Sequence, residues 1–122
     1  MAQANRDLDF ARTAARDGFH EWACFVAQQA AEKGLKAALY SQLRESRTHV
    51  LKDLVRDVDK DVPGTVLKCA RVLDNYYIPT RYANGHDSGA PYLHYAADQS
   101  EQAIEYAGVL IEFSRSRMAG SR

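Results

Sequence analysis

The sequence predicts an all-α protein, an up-and-down bundle of four or five helices, and three observations lead there. Apolar residues recur at i, i+3, i+4, i+7 spacing in successive stretches, while no segment alternates with period two over the length of a strand. The stretch from Trp22 to Leu39, WACFVAQQAAEKGLKAAL, is written in unusually small apolar residues, as suits a helix approached closely by its neighbours. The connections between the early helices are short, which favours antiparallel packing. At 122 residues, with no internal repeat, the chain forms one domain. Its core is expected over about residues 5–113, with 114–122 as a flexible tail.

The first helix is expected from Asn5 to Asp17. Leu8, Ala11, Ala15 and Phe19 form its apolar face, Asn5 serves as cap, and Gly18 supplies the stop. The second helix opens near Glu21 and runs to about Leu43. Ala23, Val26, Ala27, Ala30, Ala31, Gly34, Leu35 and Ala38 form its packing face, and Gln28, Gln29, Glu32, Lys33 and Lys36 its other side. Gly34 in a helix interior costs roughly 1 kcal/mol relative to Ala, so its presence implies a close contact.

A loop carrying Arg44, Ser46 and Arg47 leads to a short third helix with Val50, Leu51, Leu54, Val55 and Val58 as its apolar set. Asp61 and Pro63 suit the start of a fourth helix striped by Val66, Leu67, Ala70, Leu73 and Tyr77, which must end before Pro79. The last helix begins at Ala97 or Asp98, where Asp98 and Glu101 have capping-box spacing. Ala103, Ile104, Ala107, Leu110 and Ile111 form its buried side, and Phe113 lies outside it.

Composition narrows function. Lys plus Arg equals Asp plus Glu at 16 each, so nucleic acid would have to be met by a local patch and not by a global field. The polar N-terminus has no apolar export core, and no apolar run reaches the ~18 residues that span a bilayer. Cys24 and Cys69 fall among apolar helical positions and read as buried free thiols. A cytoplasmic location is the expectation, with no membrane contact.

The one connection that is too long is residues 78–95, IPTRYANGHDSGAPYLHY. Loops beyond about 12–15 residues in compact domains are usually functional or disordered, and the aromatic content favours order. Arg81 and His86 are separated by four residues. Arg holds a phosphate bidentately and His moves a proton near neutrality, so the pair suits metal-independent RNA cleavage. Arg44 and His49 repeat the spacing before the third helix. A nucleotide phosphate would meet Arg81, with Tyr82, Tyr92, His94 and Tyr95 offering stacking and polar contacts. His86 and His94, with Asp87 between them, match no closed zinc pattern, and neither metal nor cofactor is expected.

WACFVAQQAAEKGLKAAL, THVLKDLV, LDNYYIPTRY and GAPYLHYAADQSEQAIEYAGVLIEF together resemble the small prokaryotic HEPN domain family, from about Asp7 to Phe113. The resemblance implies a helical bundle that forms a homodimer and binds nucleotide. It also implies partnership with a minimal nucleotidyltransferase in a toxin–antitoxin-like pair. In such pairs the HEPN subunit can be a ribonuclease with an Arg-x4–6-His motif, which Arg81 and His86 match in spacing, and a nearby tyrosine can receive AMP. The toxins continue the motif as His-x-Tyr, whereas Asp87 and Ser88 follow His86 here. Three function classes follow: a nucleotide-binding or nucleotidyltransferase-partner protein as the leading one, a metal-independent ribonuclease on Arg81 and His86, and a non-catalytic dimerisation module.

Overall fold

The computed structural model describes residues 1–77 and 95–119, which form five helices and no strand. These are α1 (Ala2–Arg16), α2 (His20–Ser41), α3 (Leu51–Val58), α4 (Gly64–Asp74) and α5 (Ala97–Ser116). The all-α bundle expected from periodicity is the observed architecture.

Helix α1 starts at Ala2, earlier than Asn5, because Ala2, Gln3 and Ala4 are all compatible with helix and Ala4 is itself buried. Its end follows the sequence. Gly18 takes φ +88°, its N–H donates to the Ala15 carbonyl, and the Phe19 N–H donates to Ala14, a Schellman closure that needs the left-handed glycine. The turn drives α1 back along α2. The buried face is Ala4, Leu8, Ala11 and Ala14, while Ala15 is only half-buried and Phe19 is exposed, so the predicted face is corrected by one helical position.

Helix α2 is the centre of the bundle and contacts every other helix. Ala23, Ala27, Ala30, Ala31, Leu35 and Ala38 are fully buried, as the small-residue pattern predicts. Gly34 marks the closest approach, where a Cβ would lie 3.3 Å from Ile111 Cγ1 and 3.6 Å from Ser114 Oγ of α5. Enclosure goes further than the pattern suggests. Gln28 and Glu32, assigned to the polar side, are buried as well.

Helices α3 and α4 close the other flank through Leu51, Leu54, Val55, Cys69, Ala70 and Leu73. Both thiols are free and buried, and burial pushes the Cys24 thiol up to about 12, with Glu21 adding to the rise. Beyond the end of α4 the buried tyrosine is Tyr76, and Tyr77, predicted to belong to the stripe, is half-buried.

Helix α5 begins as expected, but Gln99 and not Glu101 makes the reciprocal contact, accepting the Ala96 N–H at 2.9 Å. Phe113 and Ser114 are buried, and the helix continues through the exposed Arg115 to Ser116. The reason lies in anchors that periodicity does not reveal. Ser114 Oγ donates to the Leu110 carbonyl at 2.7 Å, and the Arg117 guanidinium sits over the Phe113 ring and donates to Asp59.

Two glycines in helix interiors should respond oppositely to substitution. Gly34→Val is expected to destabilise the fold by about 1–3 kcal/mol through overpacking against Ile111. Gly108→Ala, whose added Cβ meets nothing within 4 Å, should stabilise it by about 0.5–1 kcal/mol. Urea denaturation of both variants measures the pair.

Candidate functional site: a cationic cleft at the start of α3

Helix α3 begins without a side-chain cap of its own, because Val50 stands at its N-cap. The last residue of α4 supplies the missing acceptor. Asp74 accepts the Leu51 N–H at 2.7 Å and the Lys52 N–H at 3.2 Å, placing a carboxylate at the positive end of α3. Burial raises the Asp74 carboxyl above its ordinary value, and the two N–H bonds oppose that rise. This cross-cap pulls the end of α4 against the start of α3, beside a cleft of about 790 Å³. Its walls include His49, Lys52, Arg71, Asp74, Asn75 and Tyr77.

His49 is held from behind by the central helix. Glu32, buried in α2, accepts His49 Nδ1–H at 2.9 Å and Lys36 Nζ at 2.9 Å on the same oxygen. A carboxylate can only accept, so the Nδ1 proton is fixed and Nε2 is the ring nitrogen left to the solvent side. Gln28 Nε2 reaches the His49 carbonyl at 3.4 Å, and Gln29 donates to Gln28 Oε1 at 2.6 Å. Glu32 Oε1 is buried and meets no donor among the described residues. In front, the imidazole lies nearly parallel to Tyr77, with centroids 5.2 Å apart and 12° between planes. The His49 side chain remains 54% exposed, so this flat pair is reachable from the cleft.

The result is an aromatic plate flanked by two cations, Lys52 and Arg71, with the Asp74 charge directed into α3. Such an arrangement recognises a planar, apolar-faced group joined to an anion.

The residues named from the sequence are distributed unevenly. Arg81, Tyr82, His86, Tyr92 and His94 lie outside the described residues. Tyr95 is described, half-buried, and packs on Tyr76 with centroids 5.9 Å apart. The second Arg-x4-His spacing does not make a pair. Arg44 donates to the Asp57 carbonyl near the far end of α3, about 12 Å of helix away from the end where His49 sits. Glu32, Lys52, Arg71 and Tyr77 were not singled out as site residues by their sequence. A usable signal existed in the helical spacing of Gln28 and Glu32 and in His49 just ahead of the third helix.

The helical domain itself falls in a known class. Residues 1–117 match the HEPN domain family, and the chain belongs to it. Among solved structures it is similar to TT1696 from Thermus thermophilus, with 37% identity, a TM-score of 0.91 and coverage of 95% of this chain and 93% of that one. It is also similar to ST0689, an archaeal HEPN homologue, at 36% identity, TM-score 0.83 and coverage of 96% and 93%. An HEPN domain protein from Thermotoga maritima, TM0613, shares 28% identity with a TM-score of 0.74 over 93% of this chain and 92% of that one. No curated protein matches. Among the described residues no helix is long and apolar enough to cross a membrane.

The cross-cap makes two expectations. Asp74→Ala should cost about 1 kcal/mol in urea denaturation, the usual loss on removing a helix cap. The pH dependence follows from the direction of the shift. A carboxyl raised in the folded state favours folding most when protonated, below its unfolded value, and that contribution is lost as pH rises through the folded value. The stability of the wild type relative to Asp74→Asn should therefore fall as pH rises from below the ordinary carboxyl range through the raised folded value, as urea denaturation across that range would show.

Proposed function

We propose that this HEPN protein binds a nucleotide in the cleft between the end of α4 and the start of α3. The base lies against the His49–Tyr77 plate, and the phosphate is met by Lys52 and Arg71. The observation that carries the reading is the stacked pair itself, held rigid by Glu32 and bordered by two cations. Pre-organised aromatic and cationic groups around a ligand-sized volume are what binding of a flat anion requires. The proposal extends to Arg81, Tyr82, Tyr92, His94 and Tyr95, which follow Tyr77 in the chain and carry the same chemistry. Family membership supports its remaining part, that the protein acts as a homodimer and as the partner of a minimal nucleotidyltransferase.

Calorimetry with AMP and ATP at millimolar concentration tests the core of this reading. Saturable binding is expected, weakened about tenfold (roughly 1.4 kcal/mol) by Arg71→Ala and by His49→Ala. Absence of heat with both nucleotides, in a protein that melts cooperatively, would sink it. Arg81→Ala tests the extension and should lower the affinity for ATP.

A further inference from the structure

The two ring nitrogens of His49 meet different surroundings. Nδ1–H donates at 2.9 Å to Glu32, a residue only 6% exposed. The accepting oxygen also takes Lys36, and the other, Oε1, has no donor among the described residues, so negative charge is held directly behind the ring. Nε2 is the outward nitrogen, on a side chain 54% exposed. Tyr77 covers a face of the imidazole and not its edge, since the two planes are 12° apart and both nitrogens lie in the ring plane. Stacking on the plate therefore leaves Nε2 open to chemistry.

What lies around that edge points to a phosphoryl group. Lys52 and Arg71 line the same cleft, both are exposed, and neither forms a salt bridge among the described residues. Asp74 shares the lining, with its two oxygens accepting the Leu51 and Lys52 N–H groups. An imidazole fixed in one tautomer by a carboxylate at Nδ1 presents the lone pair of Nε2 as a nucleophile. Two cations beside it supply what the oxygens of a transferring phosphoryl group require.

We infer that His49 Nε2 is a phosphoryl-acceptor site, which takes phosphorus from a donor that carries it on nitrogen. The lone pair of Nε2 forms the new N–P bond. The donor's own P–N bond breaks, and its electrons leave with the donor nitrogen, which is already protonated and departs as a neutral amine. Nδ1 keeps its proton, and the positive charge placed on the ring is opposed by Glu32. One N–P bond replaces another, so nothing further is consumed. The inference rests on the phosphate-holding half of the cleft reading, Lys52 and Arg71, and not on where a base lies. Glu32 acts here as a positioning residue.

Phosphoramidate is the donor used to test it. The full-length protein is incubated with it at neutral pH, beside N-acetylhistidine as an exposed reference. Peptide mass spectrometry follows the rate at His49, and phosphorus magnetic resonance identifies the nitrogen modified. Phosphorylation is expected on Nε2, about tenfold faster than on the reference, slowed by saturating AMP, and lowered about tenfold by Arg71→Ala and by Glu32→Gln. Arg71 is exposed, so its variant reads the site without touching the core. A His49 rate equal to that of the reference, phosphorus on Nδ1, or a rate unchanged by bound AMP or by Arg71→Ala would overturn the inference. If AMP binds by calorimetry while His49 reacts no faster than the reference, the inference fails and the nucleotide reading stands. Fast, Arg71-dependent labelling of a protein that gives no heat with AMP or ATP supports the inference and removes the nucleotide reading instead.

Discussion

The rest of the structure depends on how closely α2 and α5 approach at Gly34. With Ile111 and Ser114 where a side chain would stand, and alanines filling most of the remaining packing positions, α2 is drawn into the middle of the bundle. A helix enclosed this fully cannot keep a conventional polar face. Gln28 and Glu32 are buried by the same packing that buries Ala27 and Ala31. Buried polar groups left without partners are costly, so the chain around α2 is constrained to supply donors. Lys36 does so from one turn along α2, and His49 from the segment entering α3.

That requirement carries the core into the site. His49 is oriented because Glu32 needs a donor, and the oriented ring then gives Tyr77 a flat surface to stack on. On the opposite side, Asp74 completes the uncapped start of α3 and fixes where α4 ends. Two acids from two helices therefore set the geometry of a cleft in which Lys52 and Arg71 share the lining with Asp74. Glu32 sits behind His49 with Lys36 on it, and Asp74 is engaged by backbone N–H groups.

Much of the fold is legible in the sequence, because helical period, small-residue patterning and glycine stops are local signals. Gly18 and Gly34 act as their positions predict, one through a left-handed turn and the other through a close contact. The errors have a common physical origin. Gln28 and Glu32 look solvent-facing to any reading of amphipathicity, and only packing on several sides of α2 shows that they are interior. Ser114 looks polar, yet it is buried because its hydroxyl is satisfied by the Leu110 carbonyl of its own helix. The site was less legible than the fold. It joins α2, the segment before α3 and the end of α4, which are separated by 17 residues between Glu32 and His49 and by 22 between Asp74 and Lys52. Spacing rules see only neighbours along one element. They mark Arg44 and His49 as they mark Arg81 and His86, although Arg44 is directed to the Asp57 carbonyl.

The central claim is that a buried carboxylate on the core helix prepares His49 to face a ligand. Carbon-detected magnetic resonance of the His49 ring during an AMP titration at constant pH tests this most directly. The account predicts a saturable shift of the His49 ring signals that is markedly reduced in Glu32→Gln, a variant that retains the side-chain volume while weakening the bond to Nδ1. Saturable AMP binding with the His49 signals unmoved, or an identical shift in wild type and Glu32→Gln, would contradict it.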